Sequence, residues 1–195
     1  MCLILVLAIF FPPGCEAQRT TATPPVAIVN VNVLPMDSER VLKGQTVIVQ
    51  NGRITGLGRR VNVPAGAQTI DGSGKYLIPG LADLHVHFHG NPPDEYPLLL
   101  PLYVANGVTT ILSLKGAPGI LELRSAVKEG RVFGPRLYTV GSFINEPFVT
   151  TPDDVERAVV EQKSAGYDFV KLHGDLSREA YERLLAVAAR ERIRV

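Results

Sequence analysis

The sequence predicts an α/β protein, because apolar strand-like segments alternate with helix-like segments through the second half of the chain. The predicted strands lie at residues 81–87, 108–114, 136–142, 169–172 and 193–195. The predicted helices between them lie at residues 96–106, 120–129, 152–165 and 178–192. Strands that alternate with helices favour a parallel sheet with the helices packed on its faces. This sheet is expected to be part of a larger one. The alternative is a shorter open α/β fold that is complete in itself.

The third predicted helix carries the strongest local signals. Thr151 is a favourable N-cap residue, and Pro152 fits the first helical position. Asp153 and Asp154 place negative charge in the first turn, where the helix dipole favours it. Gly166 follows the last helical residue, so both ends of this helix are predicted with their caps.

Residues 26–78 predict a small β-domain built from short strands. Asn51-Gly52 is a typical two-residue hairpin turn between two β-rich segments, and Asp71-Gly72 indicates a second turn. No cluster of chemically active side chains occurs in this region, so its predicted role is structural.

Composition excludes some classes of function. The chain has 195 residues, 46% of them hydrophobic, which is enough for a sizeable core. Its formal net charge of +1 gives no indication of a nucleic-acid partner. Both cysteines, Cys2 and Cys15, lie close to the N-terminus, so the rest of the chain has neither a disulfide nor a thiolate metal site. The sequence does not specify an oligomeric state.

The N-terminus predicts an exported protein. Residues 2–11 form an apolar run that is too short to span a bilayer, which needs about 20 residues. The run fits the hydrophobic part of a secretory signal with cleavage after Ala17, so residues 1–17 are predicted as a signal peptide and 18–25 as a linker. The alternatives are a lipoprotein anchored at Cys15 and an apolar N-terminus without a targeting role.

Two histidines at the end of the strand predicted at residues 81–87 predict a metal site. A Pro79-Gly80 turn leads into this strand, and alternation places Asp83, His85 and His87 on one face. Two imidazoles at positions i and i+2 can ligate one divalent ion, since neutral imidazole binds zinc at roughly 2.0–2.1 Å. The alternative is a pair of partly buried histidines with backbone partners. Asp83 lies deeper in the strand and is expected to be a buried, hydrogen-bonded structural carboxylate.

Further candidates follow the ends of later strands. Lys171 lies in an apolar strand, where a charged amine is costly unless it is paired or modified. The alternative is a lysine whose side chain extends from the strand end to solvent. His173 has the same strand parity and is a substrate contact, a metal ligand in a variant site, or a loop histidine. Other residues that either line a pocket or lie in solvated loops are His89, Ser113, Lys115, Asn145 and Glu146.

The run Pro79-Gly80-Leu81-Ala82-Asp83-Leu84-His85-Val86-His87 closely resembles the first-strand motif of the amidohydrolase superfamily. Within it, Gly107-Val108-Thr109-Thr110 and the context of Lys171 look most like the imidazolonepropionase-related branch, including its Xaa-Pro dipeptidase-like members. The resemblance implies a (β/α)8 TIM-type metallo-hydrolase barrel. Residues 79–195 would form its N-terminal half, the first four βα units, and residues 26–78 would form part of a composite β-sandwich domain.

The resemblance also implies a mechanism. His85 and His87 would bind the more buried metal, and Lys171, carboxylated on its amine, would bridge two ions. The cofactor would be one or two divalent ions such as zinc, which activate water for hydrolysis of an amide or related C–N bond in a small, dipeptide-like substrate. The superfamily takes two further histidines from strands five and six and an aspartate from strand eight, so the general base is expected beyond residue 195.

A complete barrel of this type takes about 250 residues. The chain is therefore expected to be a fragment that is inactive alone, with an active full-length parent. One alternative is a binding protein that keeps the scaffold without the chemistry. Another is a deaminase with a single metal ion, in which Lys171 stays unmodified.

Overall fold

A computed structural model of the protein describes residues 23–88, 92–145 and 147–195. The chain divides into two compact units, the first ending at Pro79 and the second spanning Gly80–Val195. The predicted signal peptide at 1–17, the possible anchor Cys15, and the loop residues His89 and Glu146 lie outside the described residues.

The first unit is built on a five-stranded sheet. Its strands are β1 (Val26–Val33), β2 (Leu42–Gln50), β3 (Arg53–Gly58), β4 (Gln68–Asp71) and β5 (Tyr76–Leu77). The strand order is β3-β2-β1-β4, and β5 also pairs with β1. β1 is antiparallel to β2 but parallel to β4 and β5, so the central strand supports every other strand except β3. Val31, Val33 and Val47 form the buried core on this sheet.

The β2–β3 hairpin forms at the predicted turn. Asn51 and Gly52 have positive φ angles of 51° and 70°, as a type I′ turn requires at both of its central residues. Gln50 pairs with Arg53 directly across the turn, so the turn sets the register of the hairpin.

The second unit contains a parallel sheet with helices between its strands. Its strands are β6 (Leu81–Val86), β7 (Val108–Ser113) and β8 (Arg136–Thr139), and its helices are α1 (Pro92–Ala105), α2 (Ile120–Lys128), α3 (Pro152–Ala165) and α4 (Arg178–Arg190). The strand order follows the chain, and both pairs are parallel. The predicted mixed α/β fold is confirmed.

The two later predicted strands occur only as isolated parallel bridges. Phe169 bridges to Val140 on one side and to Arg194 on the other, and Leu172 bridges to Ile144. The predictions at 169–172 and 193–195 therefore place the correct segments beside the sheet but overstate their regularity. Too few successive residues pair in these segments to make a continuous ladder.

Helix α1 begins four residues earlier than predicted. The apolar pattern predicts a start at Tyr96, but the helix extends back to Pro92. Proline fits the first turn of a helix, because the backbone N–H that it lacks would have no partner there.

Two buried clusters hold the second unit together. One cluster lies between β7, β8 and the first two helices and includes Leu100, Ile111, Leu123 and Leu137. The other includes Val155, Val159, Leu184 and Val187 from α3 and α4. Because each cluster combines residues that are distant in sequence, the helices are fixed on the sheet by packing rather than by propensity alone.

Helix α3 begins with a complete capping box. The Thr151 hydroxyl oxygen accepts a hydrogen bond from Asp154 N at 3.2 Å, and Asp154 Oδ2 accepts from Thr151 N at 3.1 Å. The hydrogen bond from the Thr151 hydroxyl is the main reason that the pKa of Asp154 falls from 3.8 to about 2. The stabilising charge of Asp154 is therefore present above pH 3.8 and is lost as the pH falls towards 2.

We expect Thr151→Ala to lower the free energy of unfolding by about 1 kcal/mol, because the N-terminal N–H groups of α3 lose their acceptor. Urea unfolding followed by circular dichroism measures this change. Thr150→Ala is the matched control, since Thr150 makes only a long 3.4 Å contact to Asp154. An equal loss of stability in both variants would contradict the role assigned to the cap.

None of the helices in the described part of the chain has the length and the apolar character needed to cross a membrane.

Candidate metal centre

The side chains of His85 and His87 meet at the end of β6. Their Nε2 atoms lie 3.2 Å apart, and their ring centroids are 5.0 Å apart with the ring planes tilted by 48°. Both side chains are exposed, whereas Val86 between them is buried. The two imidazoles therefore lie on the solvent-exposed side of β6, and the buried side chain of Val86 between them packs into the core.

The spacing of the two Nε2 atoms fits a shared metal ion. Two nitrogens bound to one tetrahedral zinc ion at roughly 2.0–2.1 Å stand about 3.3 Å from each other. Tetrahedral zinc takes four ligands, and these two histidines supply two of them. Within residues 23–88, 92–145 and 147–195, no group of three or more His, Cys, Asp and Glu side chains could hold a metal ion.

Asp83 fixes the backbone below the two histidines. Its Oδ1 accepts a hydrogen bond from His85 N at 3.1 Å, and the side chain is half-buried. Burial raises the pKa of Tyr103 on α1, and the charge of the Asp83 carboxylate raises it further. The expected hydrogen bond of Asp83 is present, but the side chain is half-buried rather than buried as expected.

A bulge interrupts the alternation of β6. Asp83 pairs with Ile111, whereas Val86 pairs with Ser113, so β6 advances three residues where β7 advances two. The strict alternation that was expected to place Asp83 on one face with both histidines is therefore interrupted between Asp83 and Val86.

The segment that carries Lys171 lies beside the chain that follows β8. Ile144 N donates to the Lys171 carbonyl at 2.9 Å, and His173 N donates to the Ile144 carbonyl at 3.4 Å. The Lys171 side chain is half-buried, and that of His173 is exposed. The parallel bridge thus holds the backbone of both predicted site residues at the carboxyl end of the sheet.

Asp168 anchors the start of this segment. Its Oδ2 accepts hydrogen bonds from Arg124 Nη1 at 2.7 Å and from Thr139 N at 2.9 Å. Asp168 N in turn donates to the Thr139 carbonyl at 3.0 Å. The sequence alone does not predict this connection, because it joins residues from α2, β8 and the later segment that only the fold brings together.

The ring of His173 stacks on the ring of Phe143. Their centroids are 4.7 Å apart and their planes are 15° apart, so one face of the imidazole is covered by the phenyl ring. Phe143 was not singled out from the sequence. Phe143 directly precedes Ile144, whose backbone pairs with Lys171 and His173. This pairing brings the phenyl ring beside the imidazole of His173.

Helix α3 holds the loop that carries Phe143. Gln162 Oε1 accepts from Gly141 N at 3.2 Å, and Gln162 Nε2 donates to the Ser142 carbonyl at 2.8 Å. A Cβ atom on Gly141 would lie 2.6 Å from the Gln162 side chain, so a larger residue here would displace the amide that makes these hydrogen bonds. Gln162 itself is buried.

The predicted pocket residues divide into two groups. Ser113 is fully buried and donates its hydroxyl to the Lys115 carbonyl at 3.0 Å, so it is a structural residue. Lys115 and Asn145 both line a pocket of about 420 Å³ at the carboxyl ends of β7 and β8.

Sequence comparisons identify named relatives over parts of the chain. A dihydroorotase from Trichlorobacter lovleyi is 50% identical over 50 residues, which are 26% of this chain and 12% of the relative. An adenine deaminase from Geobacillus kaustophilus is 35% identical over 103 residues, which are 51% of this chain and 16% of the relative. No protein-family model matches the chain. The chain thus matches only a small part of the length of these relatives.

The fold is similar to that of solved enzymes. A Xaa-Pro dipeptidase, solved with methionine bound in its active site, matches 87% of this chain with a TM-score of 0.71 at 18% sequence identity. The match covers 55% of the dipeptidase, so the chain spans about half of that structure. The named relatives and the fold together make this chain similar to members of the amidohydrolase superfamily.

Proposed function

We propose that this chain supplies the first metal ligands and part of the substrate pocket of an exported, metal-dependent amide hydrolase. The observation that carries the proposal is the 3.2 Å separation of the His85 and His87 Nε2 atoms, which suits one shared ion. The apolar run at residues 2–11 supports export. The preferred substrate class is a small, dipeptide-like amide.

A bound divalent ion would make water a nucleophile near neutral pH and would polarise the carbonyl that is attacked. His85 and His87 would hold the ion, and the hydrogen bond from His85 N to Asp83 fixes the backbone that carries the first imidazole. Fixing the backbone in this way would orient the imidazole for metal binding.

Lys171 is the third proposed ligand. Its amine, as a carbamate, would offer oxygen atoms that bridge two ions, which divalent metals accept readily. The backbone hydrogen bond from Ile144 N to the Lys171 carbonyl and the Asp168 contacts to Thr139 restrict the segment from which the amine projects. His173, two residues later, is the proposed substrate contact.

The first test is made on a longer protein that contains this chain, expressed from the coding DNA with its flanking codons. We expect the purified protein to contain one or two zinc ions and to hydrolyse dipeptides that end in proline. The 195-residue chain alone is expected to do neither at a comparable level. Stoichiometric zinc and dipeptide hydrolysis by the 195-residue chain would overturn the expectation of inactivity.

The metal count separates the hydrolase from its nearest alternative. Two ions together with a carbamate on Lys171, detected by mass spectrometry under native conditions, support the dipeptide hydrolase. One ion with an unmodified Lys171 and release of ammonia from adenine would support a deaminase, the activity named for the Geobacillus relative. A longer protein that binds small amides without zinc and without turnover would instead be a binding protein.

A further inference from the structure

A pocket of about 420 Å³ lies at the carboxyl ends of β7 and β8. Its lining residues are Lys115, Gly116, Ser142, Phe143, Asn145 and Phe148. The two loops that form it are joined by a hydrogen bond from Gly116 N to the Gly141 carbonyl at 3.2 Å. A Cβ atom on Gly116 would lie 2.4 Å from that carbonyl oxygen, so the close approach of the loops requires glycine.

The pocket combines one cation with two aromatic walls. The Lys115 side chain is half-buried, and its amine has no hydrogen bond or ion pair among the residues that the structure describes. Phe148 is 83% exposed, and Phe143 is half-buried, so both offer apolar surface to a ligand. Because no described residue supplies a counter-charge and burial weakens the hydration of the ammonium group, the Lys115 amine favours an anion as its ligand.

The pocket adjoins the proposed metal and substrate residues. Phe143 is shared, because its ring stacks on the ring of His173 at a centroid distance of 4.7 Å. The next residue, Ile144, donates its backbone N–H to the Lys171 carbonyl. A ligand in this pocket therefore lies against the segment from which Lys171 and His173 project.

We propose that Lys115 is a specificity-determining residue that binds a carboxylate of the substrate, while Phe143 and Phe148 contact an apolar group on the same molecule. The substrate class is therefore an amide that carries both a free carboxylate and an aliphatic or aromatic side chain. That the ligand is a substrate for amide hydrolysis rests on the proposed function. The preference of the pocket for a carboxylate requires neither metal nor turnover.

The test measures binding to the 195-residue chain by nuclear magnetic resonance titration, without metal. The probes are N-acetyl-L-leucine and N-acetyl-L-leucinamide, which have nearly the same shape but differ in the negative charge. We expect the acid to bind about fivefold more tightly than the amide, the upper range for a partly exposed ion pair. Raising the salt concentration should reduce the difference by screening.

Three variants assign the preference to the pocket. Lys115→Met should remove the difference between the two probes, and Phe148→Ala should weaken both probes equally. Lys128→Met is the control, because Lys128 is an exposed cation in the last turn of α2 and lines no part of this pocket. Equal binding of acid and amide to the unmodified chain, or a preference that survives in Lys115→Met, would overturn the proposal.

The result is independent of the metal proposal. His85→Ala should leave the preference for the acid unchanged, because His85 does not line this pocket. If the 195-residue chain shows the preference but the longer protein never binds zinc, the pocket is retained and the proposed hydrolase is lost. If the longer protein binds zinc but the 195-residue chain lacks the preference, the hydrolase is retained and the role of Lys115 is lost.

Discussion

Replacing His85 with alanine is expected to lower the zinc affinity of this chain by at least about tenfold, since even the partners behind metal ligands typically contribute about 10–100-fold to affinity. The physical reason is the loss of one of two nitrogens that stand 3.2 Å apart at the end of β6. The His85 side chain is exposed, so the change should leave the fold intact. Competition with a zinc-sensitive dye at neutral pH measures the affinity.

His173→Ala is the matched control for the metal experiment. It also removes an exposed imidazole, but this ring stacks on Phe143 and is not one of the paired nitrogens. We expect its zinc affinity to equal that of the unmodified chain. Equal losses in the His85 and His173 variants would mean that zinc binds to surface histidines without a defined site.

The second large effect is expected in the core of the second unit. Leu184 on α4 is fully buried in the cluster with Val155, Val159 and Val187. Leu184→Ala should lower the free energy of unfolding by about 2–5 kcal/mol, because it loses transfer free energy and leaves a cavity. Such a loss is a large fraction of the total stability of an ordinary domain.

Leu185→Ala provides the control at the neighbouring position. Leu185 is 45% exposed, so its truncation removes fewer contacts and opens no enclosed cavity. We expect Leu185→Ala to change the free energy of unfolding by about 0.5 kcal/mol, which is usual for surface positions. Urea unfolding of both variants gives the comparison, and a loss in Leu185→Ala as large as that in Leu184→Ala would contradict this packing of α4.

Elements that begin or end at capping or turn residues were predicted correctly from the sequence. Helix α3 has the predicted bounds, Pro152–Ala165, because Thr151 and Gly166 cap its two ends. The hairpin at Asn51-Gly52 forms for the same reason, since both residues accept the positive φ that the turn needs. Four helices were predicted and four are described, although α1 begins earlier than the apolar pattern indicated.

Pairing between distant segments was predicted less well. The segments at 169–172 and 193–195 lie beside the sheet but pair through single bridges. The regularity of a strand depends on its neighbours on both sides, and a local pattern carries no information about them. The bulge after Asp83 was not predicted, because it depends on the register in which β6 pairs with β7.

The sequence by itself determined that this is an α/β chain with two histidines side by side at a strand end, because alternation along a strand is a local rule. Only the tertiary structure decided what surrounds that strand end. It joined Arg124, Asp168 and Thr139 into one anchor, and it placed Phe143 against His173. These contacts link residues from different elements, so they arise from packing, which no periodicity along the chain specifies.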